Sequence, residues 1–116
     1  MIEKPGKKNK RRKDRYRDIV LKLDGYCCVN CGGRDIDNPH HIIHRSQGGP
    51  DEPHNRITLC RTCHKKVHGT IRVDGQTGSE YMMTILDKKK CTPAFRWDWA
   101  YYELDKKISI KEVAVI

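Results

Sequence analysis

The sequence predicts an α+β fold: a small zinc-stapled ββα unit, with a basic helix before it and a hairpin/helix extension after it. Three observations carry that prediction. Residues 39–69, PHHIIHRSQGGPDEPHNRITLCRTCHKKVHG, hold all six histidines and two of the six cysteines of the 116-residue chain. A C-x-x-C pair, Cys28 and Cys31, precedes a second pair, Cys60 and Cys63, by about thirty residues. The positive charge is gathered at one end, where residues 1–17 carry nine Lys/Arg against Glu3 and Asp14, or +7 of the formal +9.

Composition explains why a staple is needed. Hydrophobic residues make up 36% and charged residues 34% of the chain, so one modest domain is short of apolar core. The opening MIEKPGKKNK has no apolar signal core, and no run is long enough to span a membrane. These features predict a cytoplasmic protein (in the host cytoplasm, if phage-encoded) with no membrane partner. In that reducing setting, C-x-x-C pairs read as metal sites before disulfides. The basic arm predicts a polyanionic partner, since neutralising phosphates releases counterions.

In chain order, residues 1–9 read as a disordered basic arm. From Lys10 to Leu23 a helix is predicted, with Tyr16, Ile19, Val20 and Leu23 at i, i+3, i+4 and i+7 forming a stripe that packs on the zinc core. Arg12, Arg15 and Arg17 then face outward, and Asp24-Gly25 is the stop. Cys28 and Cys31 have zinc-knuckle spacing, with Cys27-x-x-x-Cys31 as a less regular alternative. Cys27 and Cys91 read as ordinary, at least partly buried thiols. His40–His44 reads as a strand, residues 46–53 as a polar loop, and Asn55–Leu59 as the return strand. A helix from Arg61 to His68 follows, ended by Gly69. At about 100° per residue, His64 and His68 fall within about 40° of each other, the i, i+4 spacing by which two imidazoles reach one ion. Beyond Gly69, segments 70–73 and 80–86 read as a strand hairpin, and Lys88–Lys90 as a solvated loop. Phe95, Trp99 and Tyr102 read as a core-facing helix stripe, and residues 108–116 as a terminal strand or loose tail.

Histidine suits phosphodiester hydrolysis, because a neutral imidazole with pKa near ~6.5 is a competent base at neutral pH. A divalent ion neutralises the phosphate and stabilises the leaving oxygen. His40 and His41 are placed to divide these duties, although strict strand alternation points them to opposite faces. His44 reads equally as a phosphate contact or a plain exposed histidine, and His54 as a surface or structural residue. Arg45 reads as a phosphate clamp or as lining of the loop.

The pattern Cys28-x2-Cys31, His40-His41, Gly48-Gly49, Asn55, Cys60-x2-Cys63-His64 and His68 resembles the HNH endonuclease family with its ββα-metal finger. It is most similar to the zinc-stapled members of bacteriophage and restriction type. The His41, Asn55, His64 and His68 spacing also resembles the colicin DNases. The resemblance implies that His41 is the general base and that Asn55 holds the finger loop and orients His41. It implies that His40, His64 and His68 ligate one catalytic divalent ion (Mg²⁺, Mn²⁺, Ni²⁺ or Zn²⁺), while Cys28, Cys31, Cys60 and Cys63 hold a structural Zn²⁺. Many relatives have Asp in place of His40, and an imidazole there favours softer transition metals. The implied activity is nicking or double-strand cleavage of DNA with low sequence specificity, leaving 5′-phosphate and 3′-hydroxyl ends.

Arg11, Arg12, Arg15, Arg45, Lys65 and Lys66 are the expected DNA contacts, as charges that carry affinity more than sequence information. The predicted division is 1–9 arm, 10–69 nuclease core, and 70–116 an extension of the same domain. Two other readings compete: a non-catalytic zinc module that binds nucleic acid, and a nuclease subunit active only as a homodimer or within a larger phage or restriction assembly.

Overall fold

The computed structural model describes residues 14–89 and 96–115, the last six of these as backbone only. Among them are four α-helices, α1 (Arg17–Leu23), α2 (Arg61–Val67), α3 (Gly78–Lys89) and α4 (Asp98–Val115). One antiparallel pair of two-residue strands, β1 (His40–His41) and β2 (Arg56–Ile57), joins His40 to Ile57 and His41 to Arg56. Short 3₁₀ turns at Arg45–Gln47 and Pro53–Asn55 shape the loop between the strands.

The zinc-knuckle segment is tied to β2 and its continuation by backbone bonds. Val29 N donates to Thr58 O at 2.9 Å, Asp37 N to Leu59 O at 3.0 Å, and Arg61 N to Asp35 O at 3.0 Å. An isolated bridge pairs Ile36 with Cys60. This pairing lays residues 28–37 alongside 58–61, so two cysteine pairs distant in sequence meet in space. α2 ends as its sequence predicts: Gly69 has φ +82°, a left-handed value that costs a residue without Cβ little.

The core runs from Ile42, Ile43, Ile57 and Leu59 through Cys63 and Val67 to Met82, Ile85, Leu86, Trp97, Ala100 and Leu104. The C-terminal helices therefore complete the core. Trp97 Nε1 donates to the carbonyl of Arg56 at 2.8 Å, and Arg96 pairs with the buried carboxylate of Asp24, which also accepts from Thr58 N. The side chain of Arg56 itself, a residue 1% exposed, is held by Asp14 at 2.6 Å and donates to the carbonyls of Pro39 and Asp51. A buried guanidinium needs such complete pairing, because desolvation without it is costly.

Several expectations are corrected here. The described first helix starts at Arg17; the arm (1–9) and residues 10–13 lie outside the described residues. Its buried face is Val20 and Leu21, while Ile19 (48% exposed) and Leu23 (56%) face outward. β1 stops at His41 and β2 covers only Arg56–Ile57, shorter than predicted. The 70–73/80–86 strand hairpin is absent. Val73 pairs with Gln76 around a tight turn, and the second segment is helix α3, which also takes in Lys88 and Lys89.

The signal for α3 was in the sequence. Thr77 and Glu80 form a capping box, with Glu80 N on Thr77 Oγ1 at 3.2 Å and Thr77 N on Glu80 Oε1 at 2.9 Å. The buried stripe is Trp97, just before α4, with Ala100 and Leu104 within it, whereas Trp99 and Tyr102 are 40% and 61% exposed. The helix continues through Val115 in place of a strand or tail. Cys91, Lys90 and Phe95 lie outside the described residues. No helix among the described residues is long and apolar enough to cross a membrane.

Candidate functional site

Two clusters of metal-type ligands share α2, which supplies Cys63 to one and His64 to the other, with Cys60 and His68 at its two caps. The sulfurs of Cys28, Cys31, Cys60 and Cys63 all lie within 4.8 Å of one another, and Cys31 Sγ and Cys60 Sγ are 3.6 Å apart. Four thiolates around a zinc ion at about 2.3 Å stand about 3.8 Å from each other, so the donor set fits a tetrahedral ion. Each knuckle turns a backbone N–H onto its own first sulfur, Cys31 N to Cys28 and Cys63 N to Cys60, both at 3.4 Å. Asn30 Nδ2 bridges Cys63 Sγ and the hydroxyl of Tyr81 on α3, which ties the extension to this site. Cys27 takes no part: its thiol donates to Asp24 O.

The thiols are electrostatically unequal. Burial pushes the Cys63 thiol up to about 12. At Cys28 burial acts in the same direction but is outweighed by backbone N–H groups of Cys31, Cys60 and Asn30, which bring it to about 7.

In the second cluster, His40, His64 and His68 bring ligand nitrogens within 4.8 Å of one another. Their ring centroids are 4.6–5.0 Å apart, and His64 Nε2 lies 3.0 Å from His68 Nε2. The sequence reading named these three for one ion, and the structure brings them together. His40 is held well below the ordinary imidazole range by burial and by the neighbouring His64, His68 and His44; burial and His64 also lower His68. Neutral imidazoles are the form a metal requires, so this cluster fits a divalent ion preferring nitrogen.

His41 follows His40 on a two-residue strand, and alternation gives the two rings different partners. His40 meets α2, whereas His41 Nε2 bonds Asp51 Oδ1 at 2.7 Å. Burial lowers His41 below the usual imidazole range, against the opposing effect of its hydrogen bond to the Asp51 carboxylate. Asn55 is wholly buried. Its side chain accepts from Ile43 N at 2.8 Å and donates to Ile43 O and Pro50 O at 2.9 Å. Any Cβ at Gly49 would come within 1.8 Å of Ile43 O and 2.8 Å of Asn55 Nδ2, so this loop closes only over glycine.

Replacing Asn55 with Ala strands the buried N–H and carbonyl of Ile43 and leaves the part-buried Pro50 carbonyl without its donor. It is expected to lower the stability of the metal-loaded protein by roughly 2–5 kcal/mol in urea denaturation. Asn55→Asp should be worse still, since it turns an acceptor towards two carbonyls.

Two carboxylates escaped the sequence reading. Asp37 Oδ2 accepts from His64 Nδ1 at 2.9 Å, which leaves His64 Nε2 to present its lone pair to the cluster. Asp51 is the second. No local spacing announces either contact. Among the expected DNA contacts, Arg15 and Lys65 are exposed, Lys66 is half-buried with its ammonium 5.9 Å from the Tyr81 ring centre, and Arg45 is exposed beside Asp51 at 3.4 Å. Arg11 and Arg12 lie outside the described residues. His44 is exposed, its ring stacked on His68 at 5.8 Å.

Residues 27–70 match the family model described as HNH endonuclease. The chain is also 39% identical over 57 residues to Anaredoxin of Nostoc sp. (strain PCC 7120), a match covering 47% of this chain and 75% of that protein. The chain belongs to the HNH endonuclease family. The chain is also similar to the type IV methyl-directed restriction enzyme EcoKMcrA of Escherichia coli K12, 33% identical over 58 residues. That match covers 42% of this chain but only 21% of the restriction enzyme. No solved structure matches. In this HNH chain the matched stretch contains both ligand clusters, Asn55 and both carboxylates, and ends before α3.

Proposed function

We propose that the chain is a metal-dependent DNA endonuclease that hydrolyses phosphodiester bonds with low sequence specificity. In this reading residues 10–69 form the nuclease core and 70–116 extend the same domain. The observation that supports it is the convergence of three imidazoles, His40, His64 and His68, beside a fourth, His41, that has a partner of its own. A divalent ion held by His40, His64 and His68 would supply positive charge to the scissile phosphate and its leaving oxygen. His41, uncharged at neutral pH, takes the proton of the attacking water. Asn55 keeps the loop after β1 in register, so the His41 ring stays at the edge of the phosphate site. Arg45, Lys65, Lys66 and Arg15, with Arg11 and Arg12 of the arm, neutralise flanking phosphates.

Incubating supercoiled plasmid with the protein in EDTA, or with Mg²⁺, Mn²⁺, Ni²⁺ or Zn²⁺, tests this. Nicked or linear DNA is expected with at least one ion and none with EDTA. Plasmid retarded in a gel but uncut under every ion would overturn the reading in favour of a nucleic-acid-binding module. Elemental analysis of the purified protein separates zinc from iron, which four thiolates also hold tetrahedrally. Asp37→Ala should weaken Ni²⁺ binding about 10–100-fold in calorimetry on protein whose thiolate site is already loaded, because His64 loses its fixed ring orientation. Unchanged Ni²⁺ affinity would remove His64, or Asp37 behind it, from the ion site.

A further inference from the structure

Asp51 sits in a surface loop whose backbone is pinned on both sides of its carboxylate. The carbonyl of Pro50 accepts from the buried Asn55 Nδ2 at 2.9 Å. The carbonyl of Asp51 itself accepts from the buried Arg56 Nη1 at 3.0 Å. Arg56 is fixed in turn by Pro39 O and by the Asp14 carboxylate. Two consecutive side chains, Asn55 and Arg56, thus hold two consecutive carbonyls, 50 and 51. What that arrangement presents is one carboxylate oxygen, 2.7 Å from His41 Nε2 and 3.4 Å from Arg45 Nε.

We propose that Asp51 is the positioning residue of His41, holding the ring by its Nε2–H so that Nδ1 faces the water to be activated. The proposal rests on the nuclease reading above. A carboxylate only accepts, so the proton of the neutral ring lies on Nε2 and the lone pair on Nδ1. Among the described residues no hydrogen bond engages that nitrogen. Orientation, and not stability, is what the contact supplies. The Asp51 side chain is 45% exposed, and ion pairs of that kind add little to folding. The rigid pinning would be unnecessary for a loose surface pair. Arg45 shares the same oxygen, so a side chain placed to meet a phosphate also braces the group that orients the base.

The test compares wild type, Asp51→Ala and Asp51→Glu, each loaded with metal. Two readouts are used: steady-state kinetics on a DNA duplex, and ¹⁵N–¹H spectra of the histidine rings. Asp51→Ala is expected to keep its melting temperature and KM while kcat falls at least about 10-fold, within the ~10²–10⁴ that a general base contributes. Its His41 Nε2–H resonance, protected from exchange in wild type, should vanish. Asp51→Glu should recover part of both. Undiminished kcat in Asp51→Ala, or an Nε2–H signal that survives the substitution, overturns the proposal. Absence of cleavage by wild type under every ion instead overturns the nuclease reading, and the base role falls with it.

Discussion

His41→Ala is expected to leave the protein folded, its thiolate-held metal in place and its affinity for DNA unchanged, yet to slow plasmid nicking by about 10²–10⁴-fold. The geometry explains why the loss should be confined to chemistry. His41 lies outside the three-imidazole cluster, and its only described side-chain partner is a half-exposed carboxylate. Removing the ring therefore leaves both ligand clusters intact. His40→Ala is the informative contrast, because His40 is 5% exposed and packed against His64 and His68. Its loss should weaken ion binding, and raising the metal concentration should partly restore the rate. No metal concentration should restore His41→Ala. A His41→Ala protein that nicks at the wild-type rate, or one rescued by added metal, would reassign the base.

The second large effect concerns the thiolate site. Cys60→Ser is expected to lower the melting temperature by about 15–30 °C or to prevent folding. Metal binding in small zinc modules is worth about 10–16 kcal/mol, and losing even ~4 kcal/mol shifts a small domain by that amount. Cys60 has three structural tasks here. Its sulfur is one of four ligand-type sulfurs, its residue bridges to Ile36, and its sulfur caps α2 through Cys63 N.

Loading has a defined pH sign. The ion takes thiolates, but burial holds the Cys63 thiol up at about 12, whereas Cys28 lies at about 7. Binding therefore releases protons, and apparent affinity falls as pH falls. Chelator competition at two pH values should show tighter binding at the higher one. A pH-independent affinity would mean the site is occupied in another way.

How much of this was legible in advance differs from contact to contact. The knuckle and the His64–His68 pair were readable because both are local geometry: a C-x-x-C turn and an i, i+4 helical step have one shape wherever they occur. The end of α2 at Gly69 was readable for the same reason. The capping box at Thr77 and Glu80 is equally local, but the residue types of the 80–86 segment read as a strand and point the other way. The α4 stripe could not be read with equal ease. Trp97, Ala100 and Leu104 compete with Phe95, Trp99 and Tyr102, both at helical spacing, and only contact with the core decides between them.

The sequence alone determined the ligand types, their grouping on two faces of one short helix, and the HNH family pattern they form. Its polar composition, with 34% charged residues, also pointed to a metal staple for so small a core. The tertiary structure decided which carboxylate serves which histidine, Asp37 for His64 and Asp51 for His41. It decided that Arg56, 42 residues away from Asp14, closes the loop behind His41, and that α3 and α4 complete the core. The physical reason is that ligand spacing is set by backbone geometry over a few residues. A carboxylate–imidazole contact between distant segments depends on the path of the whole chain, and on which buried groups must be paired along it.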